Sequence, residues 1–161
     1  MKQAQFIGVA NKYKDTVFRV ALNYLGNTYD AEDMMQEVFM KLFNSKNEFM
    51  SDEHIRHWLI RVTINLCKNS LRAPWKRRHV PIDELKASFV FEHEEQSAIF
   101  SAVMELKEKY RTVLYLFYYE DLTVKEISSM LNIKESAVTT RLSRAREQLK
   151  HKLKEVWQDE F

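Results

Sequence analysis

The stretch Leu122-Thr123-Val124-Lys125-Glu126-Ile127-Ser128-Ser129-Met130-Leu131-Asn132-Ile133-Lys134-Glu135 decides the fold. Thr123 and Glu126 stand three apart at the head of an apolar pattern. That is the spacing of a capping box, in which each side chain accepts the other residue's backbone N–H. The helix it opens packs through Val124, Ile127 and Leu131, and it is short because Asn132 follows. After glycine, asparagine best tolerates the left-handed backbone at a helix end. After a short turn a second helix runs from about Glu135 to Lys154, with Val138, Leu142, Ala145, Leu149 and Leu153 as its apolar stripe. A short capped helix, a tight turn and a longer helix make the geometry of a helix-turn-helix, whose second helix enters a DNA major groove.

Away from the stripe stand Lys134, Thr139, Thr140, Ser143 and Arg144, small hydroxyls and cations suited to base edges and phosphates. Between Asn132 and Lys154, seven Lys/Arg face two Glu. A solvated hairpin in an arbitrary helical bundle carries the same basic face, so this pattern alone leaves both readings open.

Working outward, the 161 residues hold only 2 glycines and 2 prolines. A β-rich fold needs turn residues every 8–12 positions, so the expected fold class is all-α. Gly8 and Gly26 are too far apart for a phosphate-cradling loop. The chain is 45% apolar, enough to bury a core. A lone cysteine, Cys67, excludes an intrachain disulfide and a Cys-based zinc cluster and fits a reducing cytoplasm. No signal peptide and no membrane-spanning run is expected.

Both prolines fall in Ala73-Pro74-Trp75-Lys76-Arg77-Arg78-His79-Val80-Pro81, followed by Asp83, Glu84, Glu92, Glu94 and Glu95. Helical periodicity fails there, so residues 73–95 are read as a flexible linker between two small helical domains, 1–72 and 96–161. Domains this small bury only about 60% of their unfolded surface, and partners are expected to stabilise them.

In the first domain a helix from about Gln3 ends near Gly26-Asn27. Asp30 opens a second, with Ala31, Met34, Met35, Val38, Phe39, Leu42 and Phe43 as its stripe. Asn44 to Met50 reads as a loop, and Ser51 caps a third helix over roughly 52–72. This helix pairs a buried stripe (Ile55, Leu59, Val62, Leu66) with a stripe of Trp58, Arg61, Asn65, Lys68 and Arg72. From Ile55 to His79 there are seven Lys/Arg and no acid, whereas Asp15 to Glu37 holds five acids and one Arg. One small domain thus carries two surfaces of opposite charge. The basic one suits phosphates, with Asn65 at a base edge and Trp58 either stacked on an unpaired base or packed in the core. The acidic helix presents Asp33, Gln36 and Glu37 together, either as a docking face or as helix-dipole compensation and solubility.

Chemistry finds little support. Glu53, His54 and His57 lie close together, but no third well-placed metal ligand accompanies the two histidines, and Cys67 reads as a packed residue. No nucleophile–His–acid set or paired-carboxylate motif appears. Neither an enzyme, nor a cofactor, nor a metal site is expected.

In the second domain Ile99, Val103 and Leu106 begin one amphipathic helix, and Val113, Leu114, Leu116 and Phe117 belong to the next. The runs now fall into an order that resembles a known family. Asp30-Ala31-Glu32-Asp33-Met34-Met35-Gln36-Glu37-Val38-Phe39 is similar to region 2.2 of bacterial sigma factors. Trp58-Leu59-Ile60-Arg61 with Asn65 and Arg72 is similar to regions 2.3 and 2.4. Val113-Leu114, Glu126-Ile127 and Arg141-Leu142-Ser143-Arg144-Ala145-Arg146 are similar to region 4. Order, spacing, linker and length resemble an extracytoplasmic-function (ECF) sigma factor of the sigma-70 family.

The resemblance implies a cytoplasmic protein, a monomer when free, that binds core RNA polymerase and promoter DNA. The acidic helix, through Asp30, Asp33, Gln36 and Glu37, would dock on the β′ coiled coil, and the second domain would meet the β subunit. Trp58, Arg61, Asn65, Lys68 and Arg72 would read and open the −10 element. The loop from about Asn44 to Glu53, with Asn65, would hold a flipped base. Lys134, Thr139, Thr140, Ser143 and Arg144 would read the −35 element. The linker would thread toward the RNA exit path, and a membrane-anchored anti-sigma factor would cover both polymerase-binding surfaces. Three positions depart from the family pattern: Lys107 stands for a usual Pro, Lys68 for a frequent Asp, and Thr139 and Ser143 are smaller than many reading residues. The competing reading is a dimeric helix-turn-helix regulator that binds an operator without polymerase.

Overall fold

The computed structural model describes residues 1–71 and 80–158, with side chains through 155. Arg72 and the stretch 73–79 of the expected linker lie outside the described residues. Among the described residues every regular element is helical. The chain divides into two compact units, Met1–His79 and Val80–Phe161.

The first unit packs three helices on one another: α1 (Gln3–Leu25), α2 (Thr28–Phe43) and α3 (Asp52–Leu71). Gly26 ends α1 at φ 73°, a left-handed position that a residue with a Cβ adopts only under strain. Helix α2 begins at Thr28, two residues before the expected Asp30, because Asn27 is its cap. The Asp30 N–H donates to Asn27 Oδ1 at 2.8 Å, and Asn27 Nδ2 donates to Asp30 Oδ2 at 2.7 Å. Asn27 is fully buried, so this closed pair satisfies a side chain that would otherwise be costly to desolvate.

Ser51 caps α3 as expected, its Oγ accepting from the His54 N–H at 3.1 Å. The buried face of α3 differs from the expected stripe. Ile55 and Leu59 are buried, but Val62 and Leu66 are only half-buried, and Ile60, Thr63, Ile64 and Cys67 complete the core. The helix is clasped by both α1 and α2, so its covered arc is wider than a single stripe. Thr63 is tolerated there because its hydroxyl donates to Leu59 O at 2.6 Å.

The second unit begins inside the segment expected to be linker. Residues 82–86 form α4 (Ile82–Lys86), whose Leu85 is buried, and α4 packs on α5 (Glu94–Met104). Phe89, Phe91 and Phe100 gather with ring centroids 5.2–6.4 Å apart. The cluster gathers apolar area that an extended strap would leave wet. Ile99, expected in the apolar stripe of α5, faces out, and Ala102 and Met104 are the buried residues of this helix. Helix α6 (Glu108–Leu114) starts directly after Lys107 and runs into a π-helical turn, Tyr115–Tyr119.

Helices α7 (Val124–Leu131) and α8 (Glu135–Gln158) follow. The capping box is complete: the Glu126 N–H donates to Thr123 Oγ1 and the Thr123 N–H to Glu126 Oε1, both at 3.1 Å. Asn132 is left-handed at φ 55°. Ser128 Oγ donates to Ile133 O across the turn. Val138, Leu142 and Ala145 are buried, while Leu149 and Leu153 are half-buried. Helix α8 is the element on which α5, α6 and α7 all pack.

Candidate nucleic-acid interface

Helix α2 turns Ala31, Met34, Val38 and Leu42 into the core. The opposite face is thereby fixed, and Asp33, Gln36 and Glu37 share it, all exposed. Asp30 stands apart from them, since its carboxylate is engaged with the Asn27 cap. Sequence periodicity does not reveal what lies beside Gln36. Between α1 and α2 runs an apolar groove of about 420 Å³, lined by Phe6, Ala10, Met35, Phe39 and Met40 among others. Met40 is 61% exposed at its edge.

Of the stripe read on α3, Arg72 lies outside the described residues. Arg61 and Asn65 are exposed, and Trp58 and Lys68 are half-buried. Trp58 resolves the earlier alternative in part: its ring meets Phe49 edge-on at 5.6 Å, while part of its surface stays open. Phe49 belongs to the loop that precedes α3, so this loop lies against the same stripe. Helix α1 holds the start of α3, with Lys12 Nζ 2.7 Å from Asp52 Oδ2 and Tyr13 Oη donating to Asp52 O at 3.2 Å. The Asp52 carboxylate raises the pKa of Lys12.

Glu53 pairs with Arg56 at 2.9 Å, and its Oε1 lies 3.1 Å from His57 Nε2. Among the described residues no group of three His, Cys, Asp or Glu is arranged to hold a metal ion. Burial pushes the Cys67 thiol up to about 12, with the Glu37 carboxylate adding to the effect, so at neutral pH it stays a protonated packing residue.

In the second unit Lys134, Thr139, Thr140, Ser143 and Arg144 are all exposed. They flank the buried edge Val138–Leu142–Ala145, so the stripe orients them outward together. Thr139 Oγ1 donates to Ser136 O at 2.9 Å, which sets its rotamer. Arg146, also exposed, reaches across the surface to the π-helical turn instead. Its guanidinium lies over Phe117 and Tyr118, 5.6 and 5.4 Å from the ring centroids, and its Nε donates to the Tyr118 hydroxyl. That link between α8 and the π-helical turn has no signature in sequence spacing.

Residues 9–77 match the family model for sigma-70 region 2, and residues 96–149 match the model for sigma-70 region 4. The chain belongs to the sigma-70 family, as a factor of the ECF type. It is similar to the ECF RNA polymerase sigma factor SigW of Bacillus subtilis, 28% identical over 96% of this chain and 91% of that protein. It is also similar to the ECF RNA polymerase sigma-E factor of Escherichia coli, 24% identical over 88% of this chain and 83% of that protein. Among solved structures, the fold resembles the sigma factor RpoE in complex with the anti-sigma factor NepR from Bartonella quintana. The TM-score is 0.72 at 17% identity, covering 93% of this chain and 97% of that one.

As a sigma factor the protein directs transcription initiation. The reading as a dimeric operator-binding regulator falls, because the first unit matches sigma region 2 rather than a sensor or dimerisation module. The relatives are sigma factors, which are not enzymes. Among the described residues no helix is long and apolar enough to cross a membrane.

Proposed function

We propose that the ECF factor grips core polymerase with its acidic helix and promoter DNA with two basic surfaces. The observation that carries this is the pairing of opposite charges in one small unit. Exposed Asp33, Gln36 and Glu37 line α2, and Arg61, Asn65 and Lys68 line α3, on a common three-helix core. Asp33, Gln36 and Glu37 dock on the β′ coiled coil, with the apolar groove beside Gln36 widening the contact. Asp30 serves this face indirectly by fixing the start of α2. The second unit meets the β subunit.

Functionally the chain divides into 1–72 for core binding and the −10 element, 73–95 as the connection toward the RNA exit path, and 96–161 for the −35 element. Trp58, Arg61, Asn65, Lys68 and Arg72 engage the −10 region. Lys134, Thr139, Thr140, Ser143 and Arg144 read the −35 major groove. Opening the duplex costs stacking of about 1–2 kcal/mol per base-pair step. Capture of each unpaired base on an aromatic surface returns about 1–3 kcal/mol, so no nucleotide hydrolysis is required. The protein works by binding alone, in the cytoplasm, as a monomer when free, and a membrane-anchored anti-sigma factor holds it inactive by covering both polymerase-binding surfaces.

Transcription in vitro with purified core polymerase and a promoter library tests the reading. Initiation from a defined subset of promoters, steeply weakened by salt, is the expected result. A chain that neither joins core nor selects any start site overturns it.

A further inference from the structure

Part of the segment that reads as linker is folded onto the second unit, and this shortens the tether. Helix α4 has five residues, far fewer than a helix needs to stand alone in water. It is held from outside. Leu85, its one buried residue, is 2% exposed, and α4 packs on α5. The chain then turns back, with the Ser88 N–H donating to Leu85 O and the Phe89 N–H to Lys86 O, both at 3.1 Å. The turn lays Phe89 and Phe91 on Phe100 of α5, with ring centroids 5.2 and 5.4 Å away. Both rings stay half-buried, and Val90 between them is 98% exposed. The contact is a few side chains laid on a surface, not an interlocked core. Elements with so few buried contacts open at the low end of a protein's range of local stabilities.

Length decides what such opening is for. From Leu71 at the end of α3 to Ile82 at the start of α4 the chain makes eleven steps. Eleven residues span at most about 36–40 Å. Elements at −10 and −35 lie about 25 base pairs apart, about 85 Å of duplex at about 3.4 Å per pair. A folded unit of about 80 residues is about 30 Å across. With one unit on each element, about 55 Å of open distance remains, which eleven residues do not reach. Releasing α4 and the turn after it moves the far end of the tether to Glu94. Twenty-three residues span about 76–83 Å, and the gap is covered.

We propose that α4, with the cluster of Phe89, Phe91 and Phe100, is a latch that stores tether length. It is closed in the free chain and opens when polymerase and promoter spread the two units over both elements. This rests on the reading of the units as the −10 and −35 binders. The promoter-bound state needs the released length and the free state does not, so binding favours the open latch by that difference. Latch strength is then a term in the affinity for the promoter complex, although no residue of the latch touches DNA.

The test uses the full chain with spin labels at Ser88→Cys, on the turn after α4, and at Lys109→Cys, on α6, both exposed positions. Cys67 is buried and stays unlabelled. Pulsed electron-spin distance measurement should give one short separation in the free chain. In holoenzyme on a promoter with both elements, the separation should lengthen and broaden. An unchanged separation on a promoter whose −10 melts and whose −35 is footprinted overturns the proposal and leaves the reading of the units intact. A wild-type holoenzyme that protects neither element removes that reading instead, and the proposal with it. A second measurement reads the strength of the latch. When the factor is titrated into core polymerase plus promoter, folded Leu85→Ala should half-saturate at roughly 3- to 30-fold lower concentration. Twelve Gly/Ser residues inserted between His79 and Val80 add about 40 Å of reach without opening the latch. In that background Leu85→Ala should gain nothing. An equal gain in both backgrounds, or no gain with the native tether, overturns the proposal.

Discussion

Replacing Thr123 by alanine isolates one link of the helix-turn-helix. Thr123 is exposed, so losing its methyl group leaves no cavity; what is lost is the acceptor for the Glu126 N–H at 3.1 Å. An N-cap Thr→Ala change costs about 0.5–2 kcal/mol. Both bonds of this box are solvent-facing and of ordinary length, which places the cost near 1 kcal/mol. For a unit spanning Val80–Phe161, that lowers Tm by about 4–8 °C. Two compact units need not melt together, so the clean assay is amide hydrogen exchange resolved along α7. Protection there should fall about fivefold, while α1–α3 keep theirs. Thr123→Ser restores the oxygen and should restore protection. Unchanged α7 exchange in Thr123→Ala, or equal loss in Thr123→Ser, would refute the claim that the box holds this helix.

Asn132 sits at φ 55°, so Asn132→Ala should destabilise the second unit by about 1 kcal/mol while Asn132→Gly is tolerated, as read from the same exchange experiment. Because the folded Cys67 thiol is raised to about 12, it should resist alkylation until the first unit unfolds. The unfolded chain loses this proton at lower pH than the folded one, so the thiol's contribution is intact at neutral pH. It falls as pH climbs from about 9 toward 12; urea titrations of Cys67→Ala should lack that part of the decline. Asn65→Ala should impair promoter opening and spare core binding, measured by permanganate reactivity and native gels respectively. Arg144→Ala should abolish dependence on the −35 sequence, a loss of about 1–3 kcal/mol of discrimination, checked by footprinting.

Periodicity reported what is periodic. The capping box, the left-handed Asn132 and the outward face of α8 are local signals, and the structure keeps each of them. Asn27 reads as a helix stop beside Gly26 but serves as the next helix's cap, since both roles favour the same residue type. Residues 82–86 are too few to show a helical period, and α4 is held instead by contacts with α5. Leu66 and Val62 fit the expected stripe of α3 yet yield the deepest positions to Ile60 and Ile64, because two neighbours rather than one cover that helix. The reach of Phe49 to Trp58 and of Arg146 to Tyr118 is tertiary, and spacing carries no trace of it. Of the candidate site, outward residues were legible from their stripes; the groove beside Gln36 and the packing of Phe49 on Trp58 required three dimensions.

Helix α7 is eight residues long and bracketed by two non-glycine residues in left-handed conformation, Asp121 before it and Asn132 after it. Its length is therefore punctuated at both ends. One residue gained or lost within it would turn everything downstream by about 100°, swinging Thr139, Thr140, Ser143 and Arg144 off any groove they address. The helix thus has almost no freedom in the number of its residues.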